Sequence, residues 1–98
     1  MITMNTQFSP TALVCRNDSE TVATDFEDTI VLLHINNGQY FSLDEISAYI
    51  WERISVPITI VDLVTDICNR YDCIQEQAMK DITLFLEQLS ERDLLQKN

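Results

Sequence analysis

The residues best suited to chemistry are the single histidine and the nucleophiles that could pair with it. His34 could serve as a general base for the thiol of Cys15 or the hydroxyl of Ser42. However, His34 stands in the apolar run "TIVLLHI" (29–35), where a histidine is more often a structural residue of a strand than a base. We therefore predict no nucleophile–base pair and no enzymatic activity.

Acidic pairs and phosphate-binding loops give no better candidate for catalysis. Carboxylates are adjacent at Glu27-Asp28 and at Asp44-Glu45, where turns and helix starts ordinarily place acidic residues. Gly38 is the only glycine, so the chain has no glycine-rich loop that could cradle a phosphate. We predict no catalytic residue and no cofactor.

The three cysteines, Cys15, Cys68 and Cys73, do not form the pattern of a disulfide framework or a metal site. Their odd count argues against a set of bridges, and no second ligand pair lies near Cys68 and Cys73. A zinc site needs four nitrogen, sulfur or oxygen ligands at close spacings. We predict cysteines that pack as small apolar side chains, and no metal.

The location of the chain is suggested by its N-terminus and its cysteines. The segment "MITMNTQFSP" has neither the basic region nor the apolar run of a signal peptide. No apolar run approaches the 18 or more residues of a membrane span. Unpaired cysteines are typical of a reducing compartment. We expect a cytoplasmic protein that does not enter a membrane.

The charge of the chain limits its partners. Sixteen acidic residues against six basic ones give a formal net charge of −10, and the basic residues are scattered. Contacts of Lys and Arg side chains with phosphates supply most of the affinity of nucleic-acid binding. The net negative charge of this chain would instead repel DNA. An acidic membrane surface is disfavoured for the same reason. Neutral or basic partners fit better.

The first half of the chain predicts strands. Candidates are "ALVCR" (12–16), "TVATDF" (21–26), "TIVLLHI" (29–35) and "QYFSL" (39–43). The almost continuous apolar run of the third candidate predicts a central strand buried on both faces. Asn37-Gly38 is the dipeptide favoured in a two-residue type I′ hairpin turn, so the fourth strand should return antiparallel to the third.

From Asp44 onward the apolar period changes from two to 3.6, which predicts three helices. Asp44 is a natural N-cap for the first, and Pro57 should end it. Thr59 can cap the second, and the third should cover about 76–92. The predicted apolar faces are Ile46, Tyr49, Ile50 and Ile54; then Ile60, Leu63, Val64, Ile67, Cys68 and Tyr71; then Ala78, Ile82, Phe85, Leu86 and Leu89.

Strands followed by three helices indicate an α+β fold with a small three-stranded antiparallel sheet. The polar start should be a flexible tail over residues 1–9, followed by a single domain over 10–98. The apolar pair at 94–95 could add a last contact to its core.

The chain resembles the PqqD family, whose members are also called recognition elements of ribosomally made, post-translationally modified peptides. The resemblance rests on "IVLLHINNGQYFSLDEISAYIW", the following Pro-Ile-Thr, an amphipathic helix that ends in Tyr71-Asp72, and "DITLFLEQLSERDLL". It covers about residues 10–96. Three features depart from the family pattern: Asp44 in place of a common Asn, "SVPIT" in place of an Asp-Gly turn, and Arg92-Asp93 where a Gly often precedes the final leucines.

Family resemblance implies a winged-helix-like domain that binds the N-terminal leader of a precursor peptide and delivers it to modifying enzymes. The leader would lie as an extra antiparallel strand on the third strand of the sheet, in a groove whose other wall is the third helix. Free-standing members serve pyrroloquinoline quinone, lasso-peptide and radical-enzyme pathways. In lasso-peptide systems such a subunit works beside a separate leader peptidase, which is the pathway we favour.

An edge strand suits this role because its free N–H and C=O groups can pair with another chain. The segment 39–43 has no proline and no charge to block such pairing. By alternation, Phe41 and Leu43 should enter the core while Tyr40 and Ser42 border the groove, and the reverse assignment stays open. The predicted leader-binding residues are Gln39, Tyr40, Phe41, Ser42 and Leu43 on the strand, and Asp81, Leu84, Phe85 and Gln88 on the third helix.

Two other functions agree with the same elements. A winged-helix transcription regulator would have similar strands and helices, but it calls for a basic recognition helix and the third helix is acidic. A dimerisation module would use the open edge to pair with a second copy of itself. This second alternative predicts a dimer that is indifferent to leader peptide.

Overall fold

The computed structural model describes residues 9–27 and 29–96. Residues 1–8, most of the predicted tail, lie outside this part of the chain. The elements in chain order are β1 (Leu13–Val14), β2 (Thr21–Phe26), β3 (Thr29–His34), β4 (Tyr40–Leu43), α1 (Glu45–Arg53), β5 (Ile58–Thr59), α2 (Ile60–Tyr71) and α3 (Gln75–Glu91). The α+β fold predicted from the sequence is confirmed.

Three of the strands form the main sheet, in the order β2-β3-β4, with both pairs antiparallel. The central place predicted for β3 is therefore correct. The short strands β1 and β5 pair separately with each other. The segment at 94–95 returns to the end of β1, where Arg16 bridges to Leu95, and both leucines are buried as expected.

The turn between β3 and β4 is longer than the predicted two-residue type I′ turn. His34 pairs with Gln39 through a 2.9 Å bond from its N–H to the Gln39 carbonyl, which leaves 35–38 as the loop. Of Asn37 and Gly38, only Gly38 has a positive φ, at +72°. The physical reason lies in the buried ring of His34, whose Nδ1 accepts the N–H groups of Asn36 and Asn37 at 3.2 and 3.3 Å and holds the wider loop.

The prediction that the third strand is buried on both faces is wrong for one face. Leu32 and His34 are buried on the side that meets the helices, whereas Leu33 on the opposite side is 42% exposed. Only one layer of helices covers the sheet, so the outer face has nothing to pack against it among the described residues. The apolar run therefore predicted the central position of the strand, but it did not predict that one of its faces is partly exposed.

Side-chain caps start α1 and α2 at the predicted residues. The Asp44 carboxylate accepts the Ser47 N–H at 2.8 Å, and the Thr59 hydroxyl accepts the Asp62 N–H at 3.1 Å. Helix α1 ends at Arg53, before Pro57 is reached. These caps satisfy backbone donors that have no partner within the helix, so they fix the point where each helix leaves the sheet.

The buried face of α1 differs from the predicted one. Ile50 and Ile54 are buried as expected, but Ile46 is 43% exposed and Trp51 takes its place in the core. The indole lies under Arg16, whose guanidinium carbon is 5.3 Å from the ring centre and which donates to the Trp51 carbonyl at 3.0 Å. A tryptophan buries more apolar surface than the isoleucine five residues earlier.

Helix α1 is also tied to α2 by a side-chain contact. The Tyr49 hydroxyl donates to a carboxylate oxygen of Asp66 at 2.8 Å, and this bond raises the pKa of the tyrosine because it favours the protonated phenol. The Tyr49 and Tyr71 rings meet edge to face, with their centres 5.8 Å apart.

The end of α3 has the geometry that the family pattern assigns to a glycine. Asp93 adopts a positive φ of +59°, its N–H donates to the Ser90 carbonyl at 3.1 Å, and the Leu94 N–H donates to the Leu89 carbonyl at 3.0 Å. This is a Schellman motif, with an aspartate in place of glycine at the left-handed position. The departure at Arg92-Asp93 therefore leaves the helix end intact.

The helices pack over the inner face of the sheet and form one core. Its buried apolar side chains are Val14, Leu32, Leu43, Ile50, Trp51, Ile54, Ile60, Leu63, Val64, Ile67, Ala78, Ile82, Leu86, Leu89, Leu94 and Leu95.

Within residues 9–27 and 29–96, no helix is both long and apolar enough to span a membrane.

Candidate functional site

The open flank of β4 is the first component of the site. In the described part of the chain, the strand order of the main sheet ends at β4, which pairs with β3 on one side only. The strand "YFSL" contains neither a proline nor a charge. Such an edge presents free backbone donors and acceptors and lacks the residues that usually prevent further pairing.

The register shows which amides of β4 point outward. In an antiparallel pair, residues alternate between those bonded to the partner and those facing away. Since His34 is bonded to Gln39, the bonded positions on β4 are Phe41 and Leu43. Tyr40 and Ser42 therefore direct their N–H and C=O groups to the open flank. Both Gln39 backbone groups are already used, because its N–H donates to Asn37 Oδ1 at 2.9 Å.

The side chains of β4 divide between the core and the solvent. Leu43 is buried and Phe41 is half-buried against the core. Tyr40, which is 70% exposed, and Ser42 lie on the outer face of the sheet. The predicted inward orientation of Phe41 and Leu43 agrees with this placement. Which face of the strand borders a bound peptide stays a prediction.

Helix α3 meets β4 through aromatic rings. Phe41 and Phe85 lie edge to face, with ring centres 5.9 Å apart and an interplanar angle of 83°. Arg92, the C-cap of α3, lies over the same phenylalanine with its guanidinium carbon 4.8 Å from the ring centre. The Phe41 ring is thus held between two residues of the helix, and the open edge of β4 runs beside an apolar surface.

The other predicted residues of α3 lie on the exposed flank of the same helix. Leu84 is 56% exposed, and Asp81 and Gln88 are exposed as well. Asp81 accepts a bond from Gln77 Nε2 at 3.1 Å, and the Gln88 carbonyl accepts one from Arg92 at 3.3 Å. Because residues three and four apart share a helix face, these side chains border Phe85 on its solvent side.

Sequence reasoning missed Arg92 as a component of this surface. It stands seven residues after Phe85, a spacing that returns a side chain to the same face of a helix. The helical period could have placed Arg92 beside Phe85. The prediction considered the apolar stripe of the helix, however, and a charged residue such as Arg92 is not part of that stripe. Arg92 brings a positive charge to one end of a surface that otherwise carries Asp81.

A polar depression lies elsewhere on the molecule and does not coincide with this surface. It has a volume of about 900 Å³ and lies between the β3–β4 loop, the β1–β2 turn and residues 93–96. His34 is at its edge, buried, with Nε2 3.3 Å from Glu20 Oε1. The hydrogen bonds accepted by Nδ1 and the contact of Nε2 with Glu20 connect neighbouring loops, so we assign His34 a structural role.

The metal and nucleophile candidates stay apart in the fold. Over residues 9–27 and 29–96, no three His, Cys, Asp or Glu side chains are grouped so that they could hold a metal ion. The Cys15 sulfur faces the Ser55 carbonyl at 4.0 Å, whereas Ser42 lies on the outer face of the sheet. His34, by contrast, faces Glu20 and its own loop.

Comparison with solved structures finds the same fold in two leader-peptide complexes. One is described as TbiB1 in complex with the TbiA(beta) leader peptide; it is 28% identical, with a TM-score of 0.75 over 86% of this chain and 96% of that chain. The other is a lasso peptide synthetase B1 complexed with the leader peptide; it is 20% identical, with a TM-score of 0.74 over 86% and 98%. At that identity the second match speaks to the fold alone.

No curated protein matches the chain. A family model does: the one described as coenzyme PQQ synthesis protein D matches residues 29–95, which include the main hairpin, all three helices and the surface between β4 and α3. The match extends over more than half of the sequence and agrees with the resemblance seen in its motifs. The chain therefore belongs to the PqqD family.

Proposed function

We propose that this protein binds the leader of a ribosomally made precursor peptide as an additional antiparallel strand on β4, and presents it to the enzymes that modify or process it. The observation that carries the proposal is the open, uncharged edge of β4, with the Tyr40 and Ser42 backbone groups facing outward beside α3. The TbiB1 complex supports it, since that similar protein was solved with a leader peptide.

Backbone pairing alone falls short of the affinity such a role needs. Tyr40 and Ser42 each offer one donor and one acceptor, so an added strand can form four bonds of about 0.5–1.5 kcal/mol each, or roughly 2–6 kcal/mol together. A micromolar complex needs about 8 kcal/mol. Side-chain contacts must therefore supply the remainder, and they also supply the selectivity that backbone bonds lack.

The geometry favours the α3 side of the added strand as the face that reads sequence. Side chains of a bound strand would alternate between the Phe41–Phe85 surface and the outer face beside Tyr40 and Ser42. The first offers a half-buried aromatic pair and the exposed Leu84 close by on α3. We therefore propose that Tyr40 and Ser42 take part in leader binding mainly through their backbone N–H and C=O groups.

We assign the protein a non-catalytic role in the cytoplasm. The partners in the pathway would be enzymes, among which we favour the leader peptidase of a lasso-peptide system, as the family resemblance suggested; one of the two proteins with a similar fold carries the name lasso peptide synthetase B1. Helix α3 has one basic residue, Lys80, and four acidic ones, Glu76, Asp81, Glu87 and Glu91. This negative charge gives no support to DNA binding.

A titration tests the proposal directly. Fluorescently labelled leader segments of precursors encoded beside the gene, with the TbiA(beta) leader as a heterologous probe, should bind saturably with a 1:1 stoichiometry. Sedimentation of the same samples should give a monomer that gains one peptide. A failure of every neighbouring leader to bind would overturn the proposal, and a stable dimer indifferent to peptide would favour the dimerisation alternative.

A further inference from the structure

Two of the three cysteines, separated in the sequence, meet at the junction between α2 and α3. Cys68 lies in the last turn of α2, half-buried against the core, and Cys73 is exposed in the connection that follows. Their sulfur atoms are 3.2 Å apart. Asp72 brings them together, because its left-handed backbone (φ +56°) reverses the chain while its N–H donates to the Cys68 carbonyl at 3.1 Å.

We propose that Cys68 and Cys73 form a thiol–disulfide modification site, which a low-molecular-weight disulfide such as oxidised glutathione converts into an intramolecular cross-link. A disulfide has a sulfur–sulfur distance of about 2.05 Å, so the two atoms need to approach by roughly 1.2 Å. Cys73 lies in the short connection between the helices, where the backbone can supply this movement. Peptide binding at β4 plays no part in this inference.

The two thiols have different environments, and this sets the order of the steps. The hydrogen bond with Cys73 raises the pKa of the Cys68 thiol, and burial adds to the same effect. The exposed Cys73 is therefore the first nucleophile: its thiolate attacks a sulfur of glutathione disulfide and releases one glutathione thiolate.

The second step closes the cross-link. The Cys68 thiolate attacks the Cys73 sulfur of the mixed disulfide and displaces the second glutathione thiolate. In total the protein loses two protons and two electrons, and one glutathione disulfide becomes two glutathione thiols. Excess reduced glutathione reverses both steps, so the modification can be removed.

The cross-link would reinforce a weakly held helix start. Helix α3 begins after Ile74, which provides no side-chain cap, whereas α1 and α2 each begin with one. A bond between the end of α2 and the connection would hold the first turn of α3 in place. Phe85 lies ten residues into α3, about 15 Å further along its axis, so the β4 surface should be unaffected.

The test is oxidation of the full chain in a glutathione redox buffer, followed by thiol counting, intact mass and peptide mapping. The expected product has one free thiol in place of three, a mass lower by about 2 Da, and a fragment that joins Cys68 to Cys73. Its melting temperature should exceed that of the reduced protein by about 5–10 °C.

Two variants make the result decisive. Cys15→Ser should still form the bond and retain no free thiol, whereas Cys73→Ser should not form it and should lose the redox dependence of its melting temperature. Persistent glutathione adducts, disulfide-linked dimers or two remaining thiols in oxidised Cys15→Ser would overturn the inference. A cross-link that leaves the melting temperature unchanged would overturn its stabilising effect.

Discussion

The two edges of the main sheet are β2, which has six residues, and β4, which has four, and their surroundings differ. On β2 the residues that face outward along the edge are Thr21, Ala23 and Asp25, and the strand from Val22 to Phe26 is exposed throughout. On β4 the outward residues are Tyr40 and Ser42, and Phe41 between them packs on α3. Over residues 9–27 and 29–96, β4 is the edge that combines outward-facing backbone groups with a ring contact to a helix.

This difference shows why an open strand edge is not enough for selective binding. Edge β2 carries a charge at Asp25, and its side chains from Val22 to Phe26 are exposed in the described part of the chain, so an added strand there would gain little beyond backbone bonds. Edge β4 is uncharged and has the Phe41–Phe85 contact beside it. We therefore expect that substitutions which disturb the backbones of β2 and β4 equally will have different effects on leader binding.

Matched proline substitutions should give the largest difference. Ser42→Pro and Ala23→Pro each remove an N–H that points away from β3, so neither breaks a bond of the sheet. We expect Ser42→Pro to weaken leader binding at least about 100-fold, because both pairing and strand geometry are lost, and Ala23→Pro to leave it within about twofold. Titration with labelled leader measures both. Equal losses in the two variants would remove the distinction between the edges.

A charge on the wall of the site should have the next largest effect. Leu84→Asp places a carboxylate beside the proposed path of the peptide, and we expect about a tenfold loss of affinity, or roughly 1.4 kcal/mol. Val56→Asp is the control, since Val56 is 62% exposed in the segment between α1 and α2. Both variants should unfold at nearly the same denaturant concentration as the parent protein. Identical affinities for the two variants would exclude Leu84 from the site.

Replacement of the cation at the end of the wall should have the smallest effect. Arg92→Gln removes the guanidinium that lies over Phe41, and a contact of this kind that stays accessible to solvent is worth about 0.5–1 kcal/mol. We expect leader affinity to fall by about two- to fivefold, and Arg92→Lys to recover part of the loss. Affinity that is unchanged in Arg92→Gln would show that Phe41 keeps its orientation without the cation.

Much of the fold could be predicted because local signals agreed with the tertiary structure. Asp44 and Thr59 cap the helices as their side-chain chemistry predicted, and the apolar periods of α2 and α3 matched their buried faces. The β3–β4 turn could not be predicted, because the His34 side chain binds the loop backbone and overrides the preference of Asn37-Gly38. Leu33 was misassigned because nothing in an apolar run tells how many layers cover a sheet.

The candidate site was predictable in part for the same reason. The edge strand and the acidic, leucine-bearing flank of α3 could be found from pattern and from family resemblance. Arg92 and the meeting of Cys68 with Cys73 depend on how a helix end and a connection fold back, which side-chain periodicity does not record. Such contacts become visible only when the termini of neighbouring elements are placed together.

Residue-resolved amide exchange with and without leader tests the central claim most directly. In the free protein, the Tyr40 and Ser42 amides should exchange quickly and the Phe41 amide, bonded to β3, should exchange slowly. Saturating leader should slow exchange at Tyr40 and Ser42 while leaving Ala23 and Asp25 on β2 unchanged. Bound leader that leaves the Tyr40 and Ser42 amides unprotected, or protects the β2 amides instead, would contradict strand addition at β4.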